Sequence, residues 1–536
     1  MRPVTSRRLA LGGILAGFAC AAFIALYTGY PQEPQRRYIF DFLLRAQDLP
    51  GAMLVILIAA AAAWPRLAGP GVALAEAIGR RPWTTAAATF VVLCAGQLLV
   101  VKDHPLAGDE HLVLMQARAF AAARLTAQFP PELVSWVLPR PYFDLWLYVS
   151  RETGQAVSVY WPGYALLLAP FVLVGIPWAC NALLASGSLL LIGRLAARLT
   201  STPAAAGWAM LLALASPGFT SMALGYFSMS AHLFFNLLFV WLVLERRLVL
   251  AGVVGSFALV LHNPWPHFLF ALPWIAWLGW REGWRALLPL GAGYAPLTLA
   301  LGGGWWLLMR KIQGQPWFAP PPGDVLFYWQ MQFSRVFGFP DAGTVAKRAA
   351  ELVKLCLWTV PGLLALAAAG WHFARREAPI RLLGLSFVVT LAGYLFVWFD
   401  QGYGWGVRYL HPALGALPIL GAVALQNEAV RRYAAAAALL SLVVATPFRW
   451  WQIETFMREQ LALRPPVERG ARQIVFIRLN YDYYTQDFVQ NDPFLRSPVI
   501  YLLSRGREED EKLLHSRFPG ARLAHEARYG QVWRLD

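Results

Sequence analysis

The chain is poor in charge, in cysteine and in nucleotide-binding signatures. Charged residues fill only 14% of its 536 positions, where a soluble globular protein carries roughly 25%. That shortage argues against a large water-soluble enzyme. There are four cysteines, Cys20, Cys94, Cys180 and Cys356. Each lies in an apolar stretch without metal-ligand spacing, so they read as small apolar fillers and no disulfide framework is expected. The 44 glycines follow no triplet period, which excludes a collagen-like chain. No Gly-rich phosphate loop appears, and no large cytoplasmic domain is left over to hold a nucleotide sugar. Disorder is excluded from the other side. Hydrophobic residues make up 58% of the chain and mean hydropathy is +0.47, far too apolar for a segment that stays unfolded.

What is abundant is apolar sequence in runs long enough to cross a bilayer, about 20 residues each. The first runs to about Tyr27 behind a basic head (Arg2, Arg7, Arg8). It is longer than a signal-peptide core and no clean cleavage site follows, so it reads as a retained span with its N-terminus in the cytoplasm. Further runs cover 51–66, 84–101, 177–194, 203–219, 228–244, 249–262, 266–280, 285–308, 351–371, 381–398, 408–425 and 432–448. Together they predict an α-helical polytopic membrane protein of about thirteen transmembrane helices. The Arg clusters at 80–81, 194/198, 246–247, 281/285, 375–376 and 431–432 then fall on one side, as the positive-inside rule requires. Arg36, Arg37 and Arg45 are exceptions in the first outer loop. The run 164–174 is too short to cross and carries Pro170, so an interfacial or re-entrant helix is expected there. Trp64, Trp305, Trp306, Trp358, Trp398, Trp450 and Trp451 stand near run ends, as interfacial belts do.

This topology divides the chain into N-terminal helices (1–101), a first large periplasmic loop (102–163), a transmembrane core (164–448, with an outer loop at 310–350) and a C-terminal periplasmic unit (449–536). The last reads as a small α/β domain. Strand-like runs at 473–477 and 499–503 precede a charged helix-like stretch at 507–514. The predicted place is a bacterial inner membrane, with the C-terminus outside. The net charge of +16 has no folded basic domain behind it, so no nucleic-acid partner is expected. The spans carry almost no charge, which places any chemistry at the outer face.

The first outer loop opens Lys102-Asp103-His104-Pro105-Leu106-Ala107-Gly108-Asp109-Glu110-His111 and continues into a good helix former. Local rules read Asp109 as an N-cap, with Glu110 in the first turn where acids are favoured. A second polar loop, 400–411, carries Arg408. Its planar fork suits a phosphate, and helix-end snorkelling is the plain alternative. Tyr409 offers a hydroxyl donor, and Lys102 and Arg140 are further candidate phosphate-binding cations. The His262-Asn263-Pro264-Trp265-Pro266-His267 turn is explained by its prolines, with a donor-facing role as the alternative. Asp103, His104, Asp109 and His111 lie close together but show no helical metal-ligand spacing. A divalent cation stays possible and no cofactor is assigned.

Three segments carry a family resemblance. The acidic pair Asp109-Glu110 is followed by Val113-Leu114-Met115-Gln116-Ala117-Arg118-Ala119-Phe120-Ala121. Tyr160-Trp161-Pro162-Gly163 closes the same loop, and Gly406-Val407-Arg408-Tyr409-Leu410-His411-Pro412 precedes a late span. Their order resembles the GT-C superfamily of membrane glycosyltransferases, which includes protein O-mannosyltransferases and the aminoarabinose transferases of lipid A. The tail, with Asn491-Asp492-Pro493 before Ser497-Pro498-Val499, resembles bacterial members of unassigned substrate. The resemblance implies a polyprenyl-phosphate-linked sugar donor lying among membrane lipids. It implies a periplasmic glycan, lipid or protein acceptor, and transfer with inversion of a hexosyl or pentosyl group. It makes Asp109 the general base, with Glu110 beside it. Arg408, Tyr409, Lys102 and Arg140 would face the donor phosphate; His111, Tyr160 and His411 would line the substrate cavity. A lipid-linked sugar transporter or flippase is one alternative, and a non-catalytic envelope scaffold another.

Overall fold

The computed structural model describes residues 6–29, 39–139, 146–314, 336–479 and 486–535. Arg140 lies outside the described residues, as do Arg36 and Arg37. Among those described, six helices are long and apolar enough to cross a membrane, and six more are apolar with 10–17 residues. The expectation of thirteen spans therefore rests on the sequence. Leu11, Leu15, Phe18 and Leu26 of the Ser6–Thr28 helix are exposed, an apolar surface that suits lipid and not water. The opposite face of this helix is built for close packing. Gly13 and Gly17 stand one turn apart, and a Cβ on Gly13 would meet the Ala59 Cβ at 2.7 Å, the small-residue contact that lets membrane helices approach.

Several runs have different ends from those hydropathy predicts. The second span is Ile39–Ala61, not 51–66, because its polar N-terminal part stays helical through a π-segment at Leu44–Asp48. A helix Ala68–Arg80, whose polar side chains are Glu76 and Arg80, follows it. The run 203–219 breaks between Ala204–Leu214 and Pro217–Met222, where Pro217 starts a new helix. The run 351–371 is two helices, Ala342–Leu357 and Leu363–Phe373, parted at Pro361 and at Gly362, whose φ of +90° suits glycine. The last apolar run continues as Glu428–Ala462, so the C-terminal unit begins after 462 and not at 449.

The longer helices bring in Asp48 and Arg449, charge that the predicted runs, read as carrying almost none, did not contain. Asp48 accepts from Lys354 Nζ at 2.8 Å and Trp358 Nε1 at 2.5 Å, and its other ion partner is Arg449 at 3.2 Å. Asp48, Lys354 and Arg449 are at most 1% exposed. Arg449 Nη1 also donates to the Gln47 carbonyl and to Gln452 Oε1, and its Nη2 to the Leu357 carbonyl. Three helices meet at this node. Asp48→Asn would leave two buried cations facing each other without their anion, a loss of about 3–5 kcal/mol. A lower thermal midpoint of the purified variant in detergent is the expected result; an unchanged midpoint would show the node to be dispensable.

The C-terminal unit is a four-stranded mixed sheet, in the order Val499–Leu503, Arg472–Ile477, Gly530–Leu535, Arg522–Ala527, with helix Arg507–Arg517 connecting two of its strands. The first pair is parallel and the others antiparallel. One face does not meet water. Ile474, Phe476, Leu502 and Leu514 share a core with Leu112, Met115, Phe129, Trp136 and Leu138 of the segment after Leu99. Gln128 N donates to the Pro493 carbonyl at 2.9 Å, and Arg517 pairs with Glu132 at 2.7 Å. The sheet thus packs on the segment that carries Asp109.

Candidate active site

Helix Gly108–Ala121 begins two residues earlier than local rules suggest, with Ala107 and not Asp109 at the cap and no side-chain capping bond. Asp109 therefore lies inside the first turn, and its carboxylate is turned away from its own helix. Its Oδ2 accepts from Arg408 Nη2 at 2.5 Å and its Oδ1 from the Tyr160 hydroxyl at 2.6 Å. Arg408 lies 299 positions further along the chain. The loop before it is tightly folded. Gly406 has a φ of +92°, Gln401 Nε2 donates to the Gly406 carbonyl at 2.9 Å, and Gln401 Oε1 accepts from Arg408 N at 2.9 Å. The guanidinium is held as firmly. Its Nη1 donates to the Gln401 and Tyr403 carbonyls at 3.1 and 3.0 Å, and its plane lies over the Phe227 ring at 4.1 Å. Its Nε is buried without a partner. Such a donor is an unmet demand in a protein interior.

Two opposing effects act on Asp109. Burial pushes its carboxyl up. The Arg408 guanidinium and the hydrogen bonds from Tyr160 and Arg408 overcome this and hold it below the ordinary carboxylate range. Burial works against the Arg408 charge as well, and the Asp109 carboxylate more than restores it. The Tyr160 ring stacks on His262 at 3.9 Å. Burial, outweighing the nearby Asp109, pushes that imidazole down to about 4, so it is neutral at physiological pH. Replacing Tyr160 by Phe removes a donor to the charged form of Asp109 and so raises its pKa. If Asp109 must be ionised for activity, the acid limb of kcat/KM is expected to move to higher pH in Tyr160→Phe. A limb in its wild-type position would separate Tyr160 from the function of Asp109.

Glu110 faces elsewhere and is 1% exposed. Its Oε2 accepts from Leu106 N at 3.1 Å and its Oε1 from Tyr226 N at 2.8 Å. Burial, against these bonds, pushes its carboxyl up to about 7. It ties the 102–107 loop to the Gly225–Tyr226 turn, where Gly225 has a φ of +102° and a Cβ would strike the Glu110 carboxylate. The other candidates disperse. Lys102 pairs with Glu454 at 3.2 Å and with the Leu99 carbonyl at 2.7 Å, not with Asp109. Tyr409 donates to the Asp400 carbonyl at 2.9 Å and stacks on Tyr394 at 4.5 Å, so it braces the loop beside Arg408. His411 is buried in a short 3-10 turn, and His111 is buried on the Asp109 helix. Burial depresses both imidazoles to about 3. Among the described residues no group of three or more His, Cys, Asp and Glu side chains is placed to hold a metal ion.

Sequence reasoning passed over Gln401, Phe227 and Asp487. Asp487 belongs to the C-terminal unit, yet it is close enough to feel the charges of Asp109 and Glu110. No local motif marks any of the three. Only the folded chain gives them a shared neighbourhood.

No family model matches the chain, and no curated protein matches it. Solved structures do. The crystal structure of ArnT from Cupriavidus metallidurans bound to undecaprenyl phosphate superposes with a TM-score of 0.54 at 13% identity, over 85% of this chain and 98% of that one. The apo state of the same protein gives 0.53 at 13% identity, over 84% and 97%. The likeness shows the fold: this chain, with its helices long and apolar enough to cross a membrane, shares the overall architecture of ArnT.

Proposed function

We propose that the protein is a glycosyltransferase that moves one sugar from a polyprenyl-phosphate-linked donor to an acceptor hydroxyl, at the end of the helix bundle covered by the C-terminal sheet. The observation that carries this reading is the 2.5 Å contact between Asp109 and Arg408, a base and a phosphate-binding cation in one site. The ArnT fold, seen there with undecaprenyl phosphate, supports a lipid-linked donor.

The chemistry follows from the pairing. With no donor present, Asp109 neutralises Arg408 and is a weak base. An arriving phosphate competes for the guanidinium, to which the unpartnered Nε–H offers a further bond. Asp109 thereby loses its counter-ion. Burial then dominates its ionisation and its basicity rises. It takes the proton of the acceptor hydroxyl as the acceptor oxygen bonds to the anomeric carbon. The carbon–oxygen bond to phosphate breaks, its electron pair stays on the phosphate, and Arg408 stabilises that charge. Attack from the face opposite the leaving group inverts the anomeric centre. Phosphate leaves readily, so no acid of the glycosidase kind is required. The base is freed only when a donor is bound, which guards it against idle protonation. The predicted setting is a bacterial inner membrane with this site on the periplasmic side.

The test is transfer by the purified protein in lipid nanodiscs, with radiolabelled polyprenyl-phosphate sugars and an envelope extract as acceptor. Label is expected to appear in the acceptor fraction with one donor of the panel. Label that crosses the bilayer in vesicles but stays on its lipid would overturn the transferase reading in favour of a flippase.

A further inference from the structure

Asp109 takes one bond from Arg408 and one from Tyr160, and these two donors are held in different ways. The guanidinium is fastened by the Gln401 and Tyr403 carbonyls. The Tyr160 hydroxyl makes no hydrogen bond besides the one to Asp109 among the described residues, so its aim is set by its ring. One face of that ring lies on the His262 imidazole, with centroids 3.9 Å apart and planes 25° from parallel. His262 stands in the turn between helices Leu248–Val260 and Trp265–Glu282. Backbone bonds sew this turn to the Tyr160 segment. Trp161 N donates to the His262 carbonyl and Tyr164 N to the Leu261 carbonyl, both at 2.9 Å. The two segments approach so closely that a Cβ on Gly163 would stand 2.6 Å from the Val260 carbonyl oxygen.

Docking of the turn does not call for the His262 side chain, because the two backbone bonds form whatever residue stands there. Hydrogen bonding does not call for it either. His262 is 9% exposed, and among the described residues neither of its ring nitrogens has a hydrogen-bond partner. What the side chain does make is the flat contact with Tyr160. Two stacked rings hold each other in plane, since tilting one breaks many atom contacts at once. That restraint matters most during the reaction. Once a donor phosphate competes for Arg408, the Tyr160 hydroxyl is the donor that Asp109 keeps, and only the ring stack and the packing around it hold that hydroxyl in place.

We propose that His262 is a positioning residue of the reaction centre: the face of its ring holds Tyr160 so that the phenol hydroxyl stays on Asp109. The inference rests on the glycosyltransferase reading. It gives the turn at 261–262 a role in turnover besides packing. Small displacements of a group in a reaction centre are costly, about 10²-fold for roughly 1 Å.

The experiment compares His262→Leu, His262→Phe and wild type in the same nanodisc assay. Both variants fill the site and both remove the imidazole with any charge it carries, so a difference between them comes from the flat face that Phe alone keeps. His262→Phe is expected to stay close to wild-type kcat/KM, and His262→Leu to fall about 10-fold below it. The acid limb of kcat/KM is expected at higher pH in His262→Leu than in His262→Phe, because a hydroxyl that leaves the charged form of Asp109 raises its pKa. Arg408, Glu110 and Asp487, the other charged or titratable groups around Asp109, are the same in both variants. In a Tyr160→Phe background there is no hydroxyl to hold, and the difference between Leu and Phe at 262 is expected to vanish. A merely structural role would lower the thermal midpoint of His262→Leu and leave the two limbs together. Coincident limbs, a Phe variant as damaged as the Leu variant, or a difference that persists in the Tyr160→Phe background would each overturn the inference. Where His262→Leu does not fold, His262→Phe decides: wild-type turnover upholds the ring face, and a 10-fold loss overturns it. Failure of the parent reading looks different: wild type itself transfers nothing, or Asp109→Asn transfers normally.

Discussion

Asp109→Asn is expected to lower kcat by about 10²–10⁴-fold, the usual worth of a positioned general base. Asparagine has the same shape and keeps an oxygen for Tyr160 or Arg408. What it loses is the ability to take a proton. Donor binding should not weaken with it. In the wild type the phosphate must displace the Asp109 carboxylate from Arg408, whereas in the variant the guanidinium has no competing anion. Donor KM is therefore expected to stay level or fall while kcat collapses, and this split distinguishes a lost base from a damaged fold. Stability should drop as well, because Arg408 is left 9% exposed with no counter-ion, so the assay belongs at a temperature where both proteins are folded. Unchanged kcat in folded Asp109→Asn would remove the base from the mechanism.

The ends of this machine were readable in the sequence, and its supports were not. Asp109, Tyr160 and Arg408 each sit in a short segment whose residue types signal polar chemistry beside apolar runs. Their meeting required the fold. Glu110 shows the limit. Adjacent to Asp109, it points about 100° away around the helix and accepts two backbone N–H groups instead. Which of two neighbouring acids faces the cleft depends on where the helix starts, and helix ends are the least certain part of a sequence reading. Lys102 was a reasonable phosphate ligand until Glu454 came beside it. The Asp48 node escaped hydropathy for a related reason. Averaging over a window penalises a buried acid and two buried cations separately, whereas in the fold they offset one another.

Arg408 gives the second large effect, and the contrast between two variants shows what it does. Arg408→Lys keeps the charge but not the fork. One ammonium cannot hold the Gln401 and Tyr403 carbonyls, pair with Asp109 and offer a free donor, as the guanidinium does. A loss of about 10²–10³-fold in kcat/KM is expected, comparable to deleting one donor that stabilises developing charge. Arg408→Ala also reverses a pH dependence. In the wild type Asp109 is held below its unfolded value, so its contribution to stability is present above that value, roughly 3.9, and is lost as pH falls through the folded pKa. Without the guanidinium, burial is the dominant effect and the folded value rises above the unfolded one. The contribution of Asp109 is then fully present only below that unfolded value and is lost as pH rises, so the variant should gain stability on acidification where the wild type loses it. Thermal midpoints across that pH range would show the opposite slopes. Parallel slopes would mean that Arg408 does not control the charge of Asp109. The double variant Asp109→Asn/Arg408→Ala completes the argument. If the two groups act as one device, its turnover should lie near that of the worse single variant; if they act separately, the losses should multiply.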